Sequence, residues 1–229
     1  MTLLLFKPVF PASVNGFNLL LARNCHWQER RFWEAVDIDE FDCDEIVDCG
    51  GAIIAPGFID IQINGAFGID FSNTRVRSSH VREVARGLVQ HGVTAFLPTV
   101  VTSAPATYRS VIPQLAPFCC SGGEGASNLG IHLEGPFIHP RKKGAHSEEF
   151  VHDRIAGMAA LEDVYGPLDG VRVITLAPEL PGALDVIEAL AQRGVVVSMG
   201  HSTASVKDGD RGFVTGAKLI THLFNVRVV

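Results

Sequence analysis

The chain lacks the features of membrane-spanning and disulfide-rich secreted proteins. It has five cysteines among 229 residues. None stands in a Cys-x-x-Cys pair, so we expect neither a disulfide framework nor a cysteine-based metal site. No apolar run approaches the roughly 20 residues of a membrane span. Lys7-Pro8 interrupts the apolar start of the chain before it reaches the length of a signal peptide. These absences favour a protein of the reducing cytoplasm.

Basic charge is also scarce, with 19 Lys and Arg against 25 Asp and Glu and a net charge of −6. A nucleic-acid surface needs clustered Lys and Arg, and Arg141-Lys142-Lys143 is the only short basic cluster. We therefore expect a small-molecule substrate, and neither nucleic acid nor membrane as a partner. Because 47% of the residues are hydrophobic and 19% are charged, the chain can bury a sizeable core.

The pattern of the chain changes near residue 55. Residues 1–54 mix short apolar pieces with charges and predict a small, mostly β segment. From residue 55, short β-rich runs alternate with helical stretches, which is typical of parallel β-strands joined by helices. The predicted strands are 58–63, 94–97, 129–133, 171–176, 195–198 and 218–221, and the predicted helices lie near 79–91, 105–116, 153–164, 182–193 and 204–215. We predict an α/β fold in which residues 55–229 form a (β/α)₈ TIM barrel, incomplete with about six of its eight strands.

Three of the predicted strands end on a residue that can bind a metal. Glu134 ends one apolar run, and His201 and His222 end two later ones. Because (β/α)₈ barrels build their active sites at the carboxyl ends of their strands, we expect these side chains to meet at one mouth. One Glu and two His suit a catalytic zinc with an open position for water. Each residue taken alone is as well explained by a buried polar group or a loop.

Two further segments carry residues that we expect at the same mouth of the barrel. In the first strand, alternation places Asp60, Gln62 and Asn64 on one face, which points inward in a barrel. The loop after the third strand carries Gly144-Ala145-His146. Such a tip can approach a ligand closely and present an imidazole to it. A polar layer with an ordinary Asn-Gly turn, and a solvated loop, remain the alternatives for these two segments.

Six motifs together resemble the N-acetylglucosamine-6-phosphate deacetylases of the amidohydrolase superfamily. The resemblance covers about Asp48 to Asn225, in order and at fitting spacings. The first motif alone indicates only the superfamily, and the second and third narrow it to this branch. The motifs are Pro56-Gly-Phe-Ile-Asp60, His132-Leu-Glu-Gly-Pro136, Lys143-Gly-Ala-His146, Leu176-Ala-Pro-Glu179, Gly200-His-Ser202 and Thr221-His-Leu-Phe-Asn225.

The resemblance implies one metal ion per chain. Many amidohydrolases carry His-x-His at the end of the first strand and bind two metals, but here Gln62 and Asn64 occupy these positions. The implied ligands are Glu134, His201 and His222. Zinc suits this set, and iron, cobalt and manganese would fit it as well.

The resemblance also implies a reaction. A metal-activated water would hydrolyse the N-acetyl group of N-acetyl-D-glucosamine 6-phosphate to D-glucosamine 6-phosphate and acetate, a step of amino-sugar catabolism. His146 matches the histidine that contacts the acetyl carbonyl and stabilises the oxyanion. Ala145 and Asn225 match positions that contact the sugar phosphate. The family suggests a homodimer, and the N-terminal β segment matches part of a small composite β-sandwich domain.

The chain departs from the family after Asn225. There the family continues with Ala-Met and a long segment, whereas this sequence has Val226-Arg-Val-Val229. The family's strand-eight aspartate, its general base and acid, has no counterpart here, so we expect a truncated chain with little turnover alone. Two other interpretations stay open. One is an amidohydrolase acting on a cyclic amide, which Gln62 and Asn64 argue against, and the other is a non-catalytic truncated form.

Overall fold

The computed structural model describes residues 3–7, 19–22, 45–48, 56–120 and 124–225. The first three ranges are strands, β1 (Leu3–Lys7), β2 (Leu19–Ala22) and β3 (Glu45–Asp48). They form one sheet in the order β2-β1-β3, with β1 antiparallel to β2 and parallel to β3. The rest of the predicted N-terminal segment and Val226–Val229 lie outside the described residues. The predicted domain boundary between residues 54 and 55 stays a prediction.

The larger unit, residues 58–120 and 124–225, alternates strands with helices. Its strands are β4 (Phe58–Ile63), β5 (Gly65–Ala66), β6 (Ile69–Asp70), β7 (Val93–Val101), β8 (Ser127–Asn128), β9 (Ile131–Glu134), β10 (Val171–Leu176), β11 (Val196–Met199) and β12 (Leu219–Ile220). Its helices are α1 (Ser78–Leu88), α2 (Pro105–Val111), α3 (Gly157–Tyr165), α4 (Ala183–Gln192) and α5 (Val206–Thr215). Short 3₁₀ turns cover Val89–His91, Ile112–Leu115, Pro140–Lys142 and Glu148–Phe150.

The main sheet of this unit is parallel and follows the order of the chain. Its path is β12-β11-β10-β9-β7-β4, and β8 adds to β7 outside this path. Every pairing along the path is parallel. Helices α1 to α5 connect successive strands of the path, with α2 and β8 both between β7 and β9. The predicted incomplete barrel with six path strands is confirmed, and the carboxyl ends of these strands lie at one edge.

The helices pack on this sheet through stripes that their sequences predict. The buried residues of α4 are Ala183, Val186, Ile187 and Leu190, a spacing of three and four residues that forms one helical face. The helix predicted over 105–116 is shorter, because α2 ends at Val111 and a 3₁₀ turn follows. Pro113 lies in that turn and has no N–H for an α-helical hydrogen bond. The helix predicted from residue 153 begins instead at Gly157.

Two strand ends differ from the prediction in ways that shape the site. The strand predicted over 129–133 runs from Ile131 to Glu134, so the carboxylate belongs to the strand itself. The strand predicted over 94–97 extends through Pro98 to Val101. Its register with β4 shifts between the pairs Asp60–Phe96 and Ile63–Pro98. Proline is tolerated inside this strand because it lies at an irregular point of the ladder.

Candidate metal centre

Glu134, His201 and His222 meet at the carboxyl edge of the sheet. Glu134 is the last residue of β9, and the two histidines each follow their strand, β11 or β12, by two residues. Both histidines point Nε2 at the same carboxylate atom, Oε1 of Glu134, at 3.1 Å from His201 and 3.0 Å from His222. Glu134 and His201 are buried, whereas the His222 side chain is 36% exposed.

The two histidines share an unusual backbone conformation. His201 has a φ of 50° and His222 a φ of 54°. Residues other than glycine rarely adopt this left-handed backbone region, and holding such a residue there costs about 1–3 kcal/mol. Each histidine leaves its strand through this sharp bend. At this bend each imidazole faces Oε1 of Glu134.

The loop after β9 fixes the tautomer of His201. Nδ1 of His201 lies 2.8 Å from the backbone carbonyl of Lys142, and the backbone N–H of His139 donates to the carbonyl of His201 at 2.9 Å. A carbonyl only accepts, so Nδ1 carries a proton and donates it. Nε2 is the nitrogen that faces Glu134, at 3.1 Å from Oε1. Metal-binding histidines commonly use a backbone carbonyl in this way.

His146 completes the cluster from the other side of the carboxylate. Its Nε2 lies 3.8 Å from Oε2 of Glu134, and its ring centroid lies 4.5 Å from that of His201. Its Nδ1 accepts from the backbone N–H of Thr102 at 3.3 Å and lies 2.7 Å from the Thr102 hydroxyl. Since Nδ1 accepts from a backbone donor, the proton of the neutral ring is on Nε2. His146 thus presents an N–H donor to the centre.

The environment sets the charges of this cluster. Burial opposes ionisation of Glu134, but the hydrogen bond with His201 and the neighbouring imidazoles outweigh it and lower the pKa of Glu134 to about 2. Burial lowers the pKa of His146 to about 4, although the Glu134 carboxylate opposes this shift. At neutral pH the centre therefore combines a carboxylate with a neutral His146.

These shifts predict how the metal-free protein responds to acid. The pKa of His146 falls from 6.5 in an unstructured chain to about 4 in the fold. The unfolded chain therefore binds more protons between these values, and stability is lost as pH falls from 6.5 toward 4. Thermal unfolding of chelator-treated protein should show a falling Tm across this window. His146→Gln should flatten the slope, and an unchanged slope in that variant would contradict the assignment.

The chemistry and spacing of the donor atoms suit a metal ion. Bonds of about 2.0–2.2 Å in a tetrahedral arrangement place ligand atoms about 3.3–3.6 Å apart. The separations of 3.0–3.1 Å from Glu134 Oε1 to the two histidine nitrogens are close to this value. Among the described residues, the group whose ligand atoms all lie within 4.8 Å of one another is Glu134, His146 and His201, so it contains His146 and not His222. The residues present therefore fit a divalent metal.

The other predicted site residues differ in exposure. Gln62 is half-buried on β4, and its backbone N–H donates to the Asp60 side chain at 3.0 Å. Asn64 follows β4 and is exposed. Ala145 is exposed beside His146, and Asn225 is exposed, with its backbone N–H on the carbonyl of His222 at 2.7 Å. Their predicted contacts with substrate stay predictions.

Sequence reasoning assigned no role to several residues that hold the centre together. Glu179 accepts from the hydroxyl of Ser202 and from the backbone N–H of Thr203, both at 2.6 Å, and so ties down the turn after His201. Thr102 orients His146. Glu179 stood in a motif, Leu176-Ala-Pro-Glu179, whose Pro-Glu pair at a strand end was an available signal. Thr102 had none.

None of the described helices is long and apolar enough to cross a membrane.

Comparison with known proteins finds deacetylases of phosphorylated amino sugars among the relatives of this chain. No protein-family model matches the chain. The N-acetylglucosamine-6-phosphate deacetylases of Rattus norvegicus and Homo sapiens are each 48% identical to it over 216 residues, which are 93% of this chain and 50% of theirs. The N-acetylgalactosamine-6-phosphate deacetylase of Escherichia coli O157:H7 is 34% identical over 174 residues, 76% of this chain and 45% of its own. The chain thus spans about half the length of the curated relatives it matches.

Solved structures agree with this result. N-acetyl-D-glucosamine-6-phosphate deacetylase from Mycobacterium smegmatis, solved in complex with N-acetyl-D-glucosamine-6-phosphate, superposes with a TM-score of 0.72 at 26% identity, covering 98% of this chain and 56% of that one. The enzyme from Pasteurella multocida superposes with a TM-score of 0.77 at 24% identity, covering 98% and 57%, and supports the fold alone.

The parallel sheet with its Glu-His cluster at the strand ends is that of a barrel-type amidohydrolase. Within that class, the predicted relationship to the N-acetylglucosamine-6-phosphate deacetylases is confirmed, and the chain belongs to this family over the segment that it spans.

Proposed function

We propose that this protein deacetylates N-acetyl-D-glucosamine 6-phosphate, releasing D-glucosamine 6-phosphate and acetate in amino-sugar catabolism. The observation that carries the proposal is the convergence of Glu134, His201, His222 and His146 in a family whose named members are deacetylases of this substrate. An amide needs an activated water and a stabilised oxyanion to be hydrolysed, and this centre contains groups for both tasks.

Glu134, His201 and His222 are the proposed metal ligands, and zinc is the proposed metal. A ligating nitrogen must be unprotonated, and Nε2 of His201 meets this condition once the metal replaces its proton, because Nδ1 is committed to the Lys142 carbonyl. Nε2 of His146 carries the proton of the neutral ring, so His146 is not proposed as a ligand. When bound, the metal would polarise the acetyl carbonyl and lower the pKa of a water molecule toward neutrality.

His146 is the proposed donor to the oxygen of the acetyl group. Burial keeps its imidazole neutral at pH 7, and Thr102 holds the proton on Nε2. A neutral imidazole donates a hydrogen bond without surrendering the proton, which suits an oxyanion that forms transiently. Its Nε2 faces Oε2 of Glu134, whereas both proposed histidine ligands face Oε1.

The remaining proposals concern substrate, assembly and location. Ala145, through its backbone, and Asn225 are proposed to contact the sugar phosphate, since both are exposed beside the centre. Gln62 and Asn64, in place of two histidines, support a single metal. A homodimer and a cytoplasmic location follow from the family and from the composition, and both are proposals.

The test is acetate release by the zinc-loaded protein, followed by proton NMR over a long incubation. Four substrates run in parallel: N-acetylglucosamine 6-phosphate, its galactosamine epimer, unphosphorylated N-acetylglucosamine, and hydantoin as a cyclic amide. We expect acetate from the first, less from the epimer, and little from the sugar without phosphate. Ring opening of hydantoin would favour the cyclic-amide interpretation. Release from none of them would support the non-catalytic form and contradict the proposal for this chain.

A further inference from the structure

A chain of polar side chains crosses the inside of the sheet directly beneath the candidate metal centre. It consists of His132 on β9, Thr175 on β10, Ser198 on β11 and Thr221 after β12, all of them buried. The Thr175 hydroxyl lies 2.7 Å from Nε2 of His132 and 2.7 Å from the Thr221 hydroxyl. The Ser198 hydroxyl lies 2.7 Å from the same Thr221 oxygen. We refer to these four residues as the hydroxyl–imidazole chain.

The far end of this chain determines the direction of every hydrogen bond in it. Nδ1 of His132 lies 2.9 Å from the backbone carbonyl of Ile61 on β4, which can only accept. Nδ1 therefore donates, and Nε2 of the neutral ring accepts from Thr175. Thr175 then accepts from Thr221, and Thr221 from Ser198. In this arrangement each hydroxyl donates one hydrogen bond.

His132 also supplies a hydrogen bond where the pairing of β4 with β7 is irregular. The register of β4 against β7 shifts between Asp60 and Ile63, where β7 carries Pro98, a residue without an N–H. In this stretch the Ile61 carbonyl accepts a hydrogen bond from Nδ1 of His132, and the Ile63 N–H donates to the Thr99 hydroxyl at 3.1 Å. Side chains from the neighbouring strands thus replace backbone hydrogen bonds at the end of β4.

Every member of the chain lies close to a residue of the candidate centre. His132 precedes Glu134 by two residues on the same face of β9. Thr175 pairs in register with Glu134 on one side and with Ser198 on the other. Thr221 directly precedes His222. A displacement of any of these strands would therefore displace a ligand.

We propose that the hydroxyl–imidazole chain positions the metal ligands. It fixes how far β4, β9, β10, β11 and β12 extend relative to one another along the strand direction. Its members are positioning residues, since they reach the metal only through Glu134, His201 and His222. The inference rests on the proposed function, because it assumes that these three residues bind a metal. Outer-shell partners of this kind typically change metal affinity by about 10–100-fold when they are lost.

The experiment compares Thr175→Val, which removes the hydroxyl at nearly constant volume, with Thr175→Ser, which keeps it. Each 229-residue variant is stripped with a chelator and titrated with Co²⁺, and the visible absorption of the bound ion gives both the Kd and the coordination geometry. We expect Thr175→Val to raise the Kd about 10-fold or more and to alter the spectrum. Thr175→Ser should retain the affinity and the spectrum of the unmodified protein.

Asn128→Ala is the matched control for lost stability. Asn128 is buried and bonds to the Leu115 carbonyl at 2.9 Å, before the amino end of β9 and away from the ligands. This variant should lose stability while keeping its Kd for Co²⁺. If Thr175→Val does not fold, Ser198→Ala removes the last donor of the chain with less disturbance, and its Kd should rise in the same direction.

The outcomes separate the two proposals. A Thr175→Val or Ser198→Ala protein that is folded and keeps both the Kd and the spectrum overturns the positioning role, whatever the enzyme does. Loss of affinity in Thr175→Ser or Asn128→Ala equal to that in Thr175→Val also overturns it, because the effect would then follow stability. An unmodified protein that binds no Co²⁺ contradicts the proposed metal centre itself, and the inference falls with it.

Discussion

Glu134→Gln should remove high-affinity metal binding. The variant keeps the shape of the side chain and replaces the carboxylate, on whose Oε1 atom both His201 and His222 converge, with a neutral amide. An amide oxygen is a weak ligand for a metal that prefers imidazole and carboxylate. We expect the Kd for Zn²⁺ to rise more than about 100-fold, beyond the range typical of outer-shell substitutions. Acetate release should fall below detection.

Metal content measured by mass spectrometry after dialysis provides the first readout. The unmodified protein should retain about one ion per chain, as expected for a single three-ligand site, and Glu134→Gln should retain almost none. Glu149→Gln is the control, since Glu149 is exposed and undergoes the same chemical change. A Glu134→Gln protein that keeps its metal would contradict the ligand assignment. A reproducible content near two ions in the unmodified protein would contradict the single site.

The sequence predicted the strands best where local signals agreed. The predicted bounds of β4 and β10 match the structure residue for residue, because Pro56-Gly57 and an apolar run with flanking glycine define them. The strand predicted over 94–97 ends directly before Pro98, and proline is usually excluded from the interior of a strand. Neighbouring side chains satisfy the backbone of β4 opposite Pro98, so β7 continues to Val101. That compensation depends on residues distant in the sequence.

The candidate centre was predictable only as a set of residue types. Placing Glu134, His201 and His222 at strand ends followed from the alternation of strands and helices. The tautomers did not, because they depend on contacts between residues 44 apart for His146 and Thr102 and 59 apart for His201 and Lys142. The hydroxyl–imidazole chain was likewise invisible. Serine and threonine in a strand carry no signal until their neighbours across the sheet are known.

His146→Gln should slow acetate release about 10²–10³-fold, the usual effect of removing one donor to an oxyanion. The variant replaces the Nε2–H that Thr102 holds in place with a more flexible amide, so the donor is no longer fixed toward the centre. It keeps the proposed ligands Glu134, His201 and His222. Metal content and the Kd for Co²⁺ should therefore stay close to those of the unmodified protein, and the loss should appear in kcat more than in KM.

His152→Gln is the matched control for this prediction. His152 lies six residues after His146 and is exposed. Among the aromatic rings of the described residues it contacts only Phe137, at 5.2 Å between centroids. Its replacement should leave kcat unchanged. If His146→Gln loses metal in proportion to activity, His146 is a ligand and the group of Glu134, His146 and His201 holds the ion. If neither the metal content nor kcat changes, another group stabilises the oxyanion. His146 then only packs beside Glu134.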